Sequence, residues 1–304
     1  MLQADARFWT SDVGWSLRQT PVAIAAALVA FVCIAAAAFA PWIAPHDPFD
    51  LATIDLLDAL SPPAWLAEGK WRYPLGTDDQ GRDMLSGILY GARISLLVGI
   101  ASVLLSMTIG VTVGLVAGYV GGAVDAFVMR IADVQLSFPA ILIALLVDGV
   151  ARVALAGEVH PSLALWVLVL SIGLSGWVQY ARTVRGSTLV ERRKEYIQAA
   201  QLIGRGPAGI MLRHLLPNVT GPVLVIATIH FGTAIITEAT LSFLGVGMPV
   251  TTPSLGTLIR IGNDFLFSGE WWMSLFPGAA LVSIALSVNL LGDWLRDALN
   301  PRLR

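Results

Sequence analysis

Residues 195–218, EYIQAAQLIGRGPAGIMLRHLLPN, form a polar island between two long apolar runs. Tyr196, Ala199, Ala200 and Ile203 fall at i, i+3, i+4 and i+7, which places them on one face of a short helix. Two of the four are alanines, so that face is shallow and another surface can come close. Gly204, Gly206 and Pro207 then break the helix, because glycine frees the backbone and proline cannot continue an α-ladder. A second amphipathic turn occupies 210–216, and Pro217 is expected to end it. The pattern predicts a docking element, with a helical span of about 199–209 at its centre.

The rest of the chain explains what such an island is doing there. Of 304 residues, 56% are hydrophobic and 13% are charged, and the mean hydropathy is +0.73. A soluble domain carries roughly 25% charged residues, so this composition belongs to an integral membrane protein. The single cysteine, Cys33, lies inside an apolar run and excludes an intrachain disulfide. No basic tract points to nucleic acid.

Six apolar runs are long enough to cross a hydrocarbon core about 30 Å thick at about 1.5 Å per residue. They are expected at 21–43, 95–120, 134–154, 162–180, 223–246 and 275–291. The triplet 38–40 resembles a signal-peptidase site, but the leading segment and the apolar run are both longer than a signal peptide needs. The expected organisation is therefore an all-α membrane protein: a leading segment 1–20, a first span 21–43, an external segment 44–93 and a five-helix core 94–304. A polar loop, 182–221, interrupts that core. Gly110, Gly114 and Gly118 recur every four residues and predict a smooth stripe where another helix approaches. Asp125, Arg130 and Asp133 are expected to pair with one another near an interface. Trp271 and Trp272 read as an interfacial anchor.

Six spans put both termini on one side. On that side fall Arg7, Arg18, Arg130, the tail arginines Arg296, Arg302 and Arg304, and seven basic residues from Arg182 to Arg213. The opposite side holds Lys70, Arg72, Arg82, Arg93, Arg152 and Arg260. The positive-inside rule places both termini and the 195–218 island in the cytoplasm.

The chain lacks a chemical engine. No G-x-x-x-x-G-K-[ST] loop exists to cradle phosphates, and neither lysine, Lys70 or Lys194, sits in one. HExxH, G-x-S-x-G and paired cysteines are also missing. The carboxylates of 44–93 admit a metal-site reading, but Arg82 stands among them. A turn in which aspartates cap and arginine pairs fits better, and no metal is expected.

The island resembles the cytoplasmic "EAA" loop of binding-protein-dependent ABC importer permeases, roughly E-A-A-x3-G-x9-I-x-L-P. Ala199, Ala200, Gly204, Leu216 and Pro217 stand at the matching places. Gln198 replaces the usual glutamate and His214 the isoleucine, while Glu195 sits three residues early, in the E-Y-x-x-A-A form of the dipeptide, oligopeptide and nickel branch. The string LGTDDQGRD, 75–83, with Gly76, Thr77, Asp78, Asp79, Gly81, Arg82 and Asp83, resembles the same branch more specifically. The resemblance implies a type I ABC importer permease fold in a bacterial or archaeal inner membrane. It implies two cytoplasmic ATPases that bind ATP and Mg, a second and paralogous permease, and a solute-binding protein outside. It also implies coupling through Glu195, Tyr196, Ala199, Ala200, Ile203, Gly204, Gly206, Leu216 and Pro217, with no catalysis and no cofactor on this chain. The implied substrate is a di- or oligopeptide, with nickel, glutathione or an opine-like solute as alternatives. The loop 247–270 becomes a candidate contact for the solute-binding protein.

Glu238 and His230 lie inside the fifth span and are candidate path residues. For Glu238, hydrogen-bonded packing against Thr237, Thr240 or the partner permease competes with that role; for His230 packing competes, and Asn289 in the sixth span is expected as an interhelical hydrogen-bond partner. A secondary transporter would need an ion-coupling site and often an inverted repeat, and a membrane-embedded enzyme a constellation of reactive groups. None is evident in the sequence.

Overall fold

The computed structural model describes residues 12–50, 54–154 and 161–298. Arg7, Glu158, His160 and the tail beyond Ala298, with Pro301, Arg302 and Arg304, lie outside the described residues. Among the described residues the regular structure is helical, apart from one isolated bridge between Thr77 and Asp83.

A short helix α1 (Asp12–Gln19) leads into α2 (Pro21–Ala38). Pro21 occupies the first turn of α2, where its missing N–H is no loss. The buried residues of α2 are Ala23, Ala26, Ala30 and Ala37, whereas Leu28, Phe31 and Val32 are exposed. Small residues inward and large ones outward is the pattern of a helix solvated by lipid rather than water. One more turn, α3 (Ala40–Ile43), ends the first apolar run.

Helix α4 (Met84–Val120) is 37 residues long, about 55 Å, and starts eleven residues before the expected 95. Asp83 nucleates it by accepting from the Ser86 N–H at 2.9 Å. The predicted glycine stripe packs against α7 (Pro161–Glu191). A Cβ on Gly110 would stand 2.4 Å from the Trp177 carbonyl oxygen, one on Gly114 2.4 Å from that of Ala181, and one on Gly118 2.7 Å from the Thr188 Cβ. Two backbones therefore touch along about two turns. Helix α7 also runs well past the expected end at 180, so Arg182 and Arg185 lie on a helix rather than in a loop.

The third span differs from the expected continuous 134–154. It consists of α5 (Gly122–Leu136) and α6 (Ala140–Ala154), bent by 97° at the break between them. Pro139 disfavours helical backbone at Phe138 and offers no donor, which is why the ladder stops there. The bend carries Asp125 and Asp133 toward α7. Asp125 pairs with Arg185 and Asp133 with Arg182, not with Arg130. Sequence proximity suggested the partners; the helix crossing chose others.

A short helix α8 (Glu195–Leu202) follows α7, and then the single turn α9 (Pro207–Ile210). After a π turn, Met211–Leu215, the chain continues as α10 (Leu216–Phe243). Pro217 does not end a helix. Pro207–Phe243 is helical throughout its 37 residues. The Leu216 N–H reaches back five residues to the Met211 carbonyl, and this wider turn directly before Pro217 accommodates the missing donor.

The 247–270 stretch is not simply a loop. It contains α11 (Leu255–Phe265), capped by Ser254 and packed against α4, α10 and α12 (Trp272–Ala298). Trp272, expected as an interfacial anchor, is buried and donates its indole N–H to the Thr77 carbonyl at 3.2 Å. It ties the last span to the segment before α4. Among the described residues five helices are long and apolar enough to cross a membrane, or six crossings with the bent α5–α6 pair as one.

Candidate functional site

Helix α8 lies on a small apolar base. Ile197 and Ala200 are buried, and they share a cluster with Leu115 of α4, Tyr180 and Val184 of α7, and Leu215, Val219 and Val223. The expected single face of Tyr196, Ala199, Ala200 and Ile203 is therefore divided. Ala200 faces inward with Ile197, while Tyr196, Ala199 and Ile203 face outward together with Leu202, which is 89% exposed. The helix also ends inside the expected 199–209. Gly204 adopts φ 78°, the Arg205 N–H reaches the Ala200 carbonyl at 3.1 Å, and the Gly204 N–H reaches that of Gln201 at 3.0 Å. This is a Schellman stop, and the positive φ explains the glycine. Gly206 and Pro217 are exposed, Leu216 half-buried and Glu195 exposed.

A polar knot fixes the outer side of α8. The Tyr196 hydroxyl donates to Glu191 at 2.6 Å, and the Asn218 amide donates to the Tyr196 oxygen at 3.2 Å and to the His214 carbonyl at 2.7 Å. Lys194 pairs with the other Glu191 oxygen at 2.6 Å. Burial, then the neighbouring Glu191 carboxylate, push the Tyr196 hydroxyl up to about 12, so it stays a donor at neutral pH. Glu191 and Asn218 were not singled out by the sequence motif, and Ile197 was hidden between its named positions. Arg192, at the end of α7, donates to the carbonyls of Gly118 and Tyr119 at 2.9 and 3.2 Å, closing the end of α4. The tip of α7 thus holds both α4 and α8.

The second cluster is buried around Glu238, whose side chain is wholly enclosed. Its two carboxyl oxygens accept from Ser95 of α4 and Ser242 of α10, each at 2.7 Å. Those hydroxyl oxygens in turn accept from the backbone N–H groups of Leu255 at 3.3 Å and Met248 at 3.2 Å. Thr257 donates to the Met248 carbonyl at 3.1 Å, and buried Ser254 stands beside the carboxyl. The expected partners Thr237 and Thr240 instead donate to carbonyls of their own helix. Glu238 therefore binds the start of α11 to α4 and α10. His230 is buried, with Nδ1 3.1 Å from the Tyr180 hydroxyl, and it covers Gly176 of α7. Asn289 lies against Gly232, between α12 and α10.

The LGTDDQGRD string is a turn built on Asp78. That carboxylate accepts from the N–H groups of Gln80 and Arg82, both at 2.9 Å, and from the Arg82 guanidinium at 2.7 Å. Arg82 reaches onward to the Val250 carbonyl at 3.0 Å. Gly76 and Gly81 take φ 83° and 79°, and Thr77 is fully buried. Asp79 is half-buried, and burial, reinforced by nearby Asp78, pushes its carboxyl up. Asp58 accepts from Lys70 and from the Tyr73 hydroxyl at 3.0 Å, and the Lys70 ammonium holds its carboxyl below the usual range. The string joins the 54–83 segment to the chain before α11.

These features have counterparts elsewhere. Residues 110–304 match the family described as binding-protein-dependent transport system inner membrane component. The chain belongs to that family. Residues 7–63 of this permease also match the N-terminal transmembrane domain of oligopeptide transport permease C. It is 38% identical over 282 residues to a di/tripeptide transport system permease protein of Pseudomonas aeruginosa, covering 93% of this chain and 88% of that one. It is 41% identical over 278 residues to a dipeptide transport system permease protein of Escherichia coli, covering 91% and 86%. An inward-facing structure of the MetNI methionine ABC transporter superposes with a TM-score of 0.54 at 20% identity, over 71% of this chain and 98% of that one. That likeness establishes the fold.

Proposed function

We propose that this permease forms half of an import path for di- and oligopeptides and takes its power from ATPases on separate chains. The observation that carries the reading is the outward face of α8: Tyr196, Ala199, Leu202 and Ile203 are exposed on a helix whose other face is locked into α4, α7 and α10. An apolar face left open on a rigid base suits a partner that pushes. The relatives named for dipeptide and di/tripeptide transport support the substrate class. Charge counting puts this end, with both termini, in the cytoplasm.

On this reading ATP and Mg bind the two ATPases, a paralogous permease supplies the other half of the path, and a solute-binding protein delivers cargo at the opposite end. Pressure on α8 passes through Ile197 and Ala200 into Tyr180, Val184 and Val219, and the Glu191–Tyr196–Asn218 knot keeps α8 from rolling. The helices then shift between two packings, an element biased by a partner.

A disulfide cross-link tests this. In a Cys33→Ser background, Leu202→Cys is the informative position, because Ala200, inside the motif, faces inward. Oxidation with ATPases carrying cysteines around their docking cleft is expected to give an adduct whose yield changes with ATP. Absence of any adduct from Leu202, Ile203 and Ala199 in an intact complex would overturn the coupling role of α8.

A further inference from the structure

We propose that the groove between α2 and α4 is a binding site for one acidic phospholipid, with its phosphate held by Arg93. The groove has a volume of about 590 Å³ and is lined almost wholly by carbon. Arg93, Leu97, Ile100 and Leu104 follow one another at i, i+4, i+7 and i+11, a single stripe along α4. Ile34 of α2 and Trp166 of α7 contribute to the walls. Leu97, Ile100, Leu104 and Trp166 are 46–59% exposed, so the groove opens outward from the bundle.

Arg93 is the charged member of the lining. It is exposed and makes no ion pair or hydrogen bond among the described residues. Arg82, Arg182 and Arg185, which line other cavities, each pair with an aspartate. A guanidinium in this position seeks a phosphate or carboxylate with two oxygens to offer.

Depth identifies the anion. Ala37, near the end of the 18-residue α2, packs in one cluster with Ala92 and Leu96, which sets Arg93 level with the end of that span. From Arg93 to Leu104 the stripe descends about 16 Å at 1.5 Å per residue. Half of a hydrocarbon core about 30 Å thick is about 15 Å. The groove is therefore one leaflet deep, cationic at its rim and aliphatic below. An acidic phospholipid has the same division.

Native mass spectrometry of the assembled, detergent-purified transporter tests the assignment, using equimolar phosphatidylglycerol and phosphatidylcholine with identical acyl chains. The wild type is expected to retain one more phosphatidylglycerol than Arg93→Gln. Its preference over phosphatidylcholine at that site should be about fivefold, the weight of one cationic side chain at a lipid surface. Arg93 is exposed and unpaired, so Arg93→Gln leaves the fold intact. Ala101→Trp, which fills the groove, should remove the retained lipid whatever its headgroup. Equal retention of both lipids by the wild type, or an unchanged preference in Arg93→Gln, would overturn the site. Retention by the isolated chain but not by the assembled transporter would overturn it too, and would give the groove to the partner permease.

Discussion

Replacement of Glu238 separates two roles that its position alone leaves in competition, a packing hub and a group held in reserve for the path. In Glu238→Leu the hydroxyls of Ser95 and Ser242 lose the acceptor each now has at 2.7 Å. Both serines are fully buried, so no water replaces it. An orphaned buried donor costs about 1–3 kcal/mol, and two together about 2–6 kcal/mol. Neither hydroxyl can turn freely, because each oxygen already accepts from the N–H of Leu255 or Met248. Glu238→Gln keeps one acceptor oxygen and should lose about half as much. At about 2 °C per kcal/mol for a chain of this size, the leucine variant should melt about 4–12 °C below wild type and the glutamine variant between the two. The assay is thermal unfolding of the purified transporter at one fixed heating rate, since unfolding of such complexes is irreversible. Buried ionisable groups replaced by apolar side chains of similar size often stabilise a protein. A leucine variant as stable as wild type, or more so, would refute the hub and leave the carboxyl a burden carried for transport.

Two further outcomes follow from the packing and the charges. Gly114→Ala would place a Cβ 2.4 Å from the Ala181 carbonyl oxygen and should cost about 1–3 kcal/mol. Gly186→Ala, on α7 with nothing within 4 Å, should gain about 0.5–1 kcal/mol; equal melting temperatures for the two variants would contradict the close α4–α7 contact. Asp58 is held low by Lys70, so its contribution is present above the unfolded value near 3.9 and is lost as pH falls through the lower folded value. Wild type should therefore lose thermal stability below about pH 4 more steeply than Asp58→Asn, and matching slopes would remove Asp58 from the account.

Much of this was legible in the sequence because the signals are local. Apolar run length located the spans, a four-residue glycine spacing located the α4–α7 contact, and LGTDDQGRD located a turn. What escaped depends on distant chain. Pro139 and Pro217 are the same residue type, yet one accompanies a 97° bend and the other sits in a continuous helix. The difference is the π turn before Pro217, which local propensity does not announce. Arg182 and Arg185 reach aspartates about 50–60 residues away, a choice made by helix crossing. Helix α11 is only eleven residues long, and a short amphipathic piece inside a polar stretch reads as loop. The motif around α8 named the right neighbourhood but not which side of the helix is covered. That depends on where Tyr180 and Val219 stand.

The π turn has one more consequence. A helix is a counter: each residue turns everything after it by about 100°. Between Pro207 and Glu238 lie 31 such steps, and Met211–Leu215 miscounts by one. Regularising that turn into a perfect α-ladder, with no residue removed, would leave every span intact. It would also swing Glu238 by about 100° away from Ser95, with α8 unmoved at the other end. The irregular turn thus sets the phase between the two ends of one long rod, and a more regular helix here would be a misaligned one.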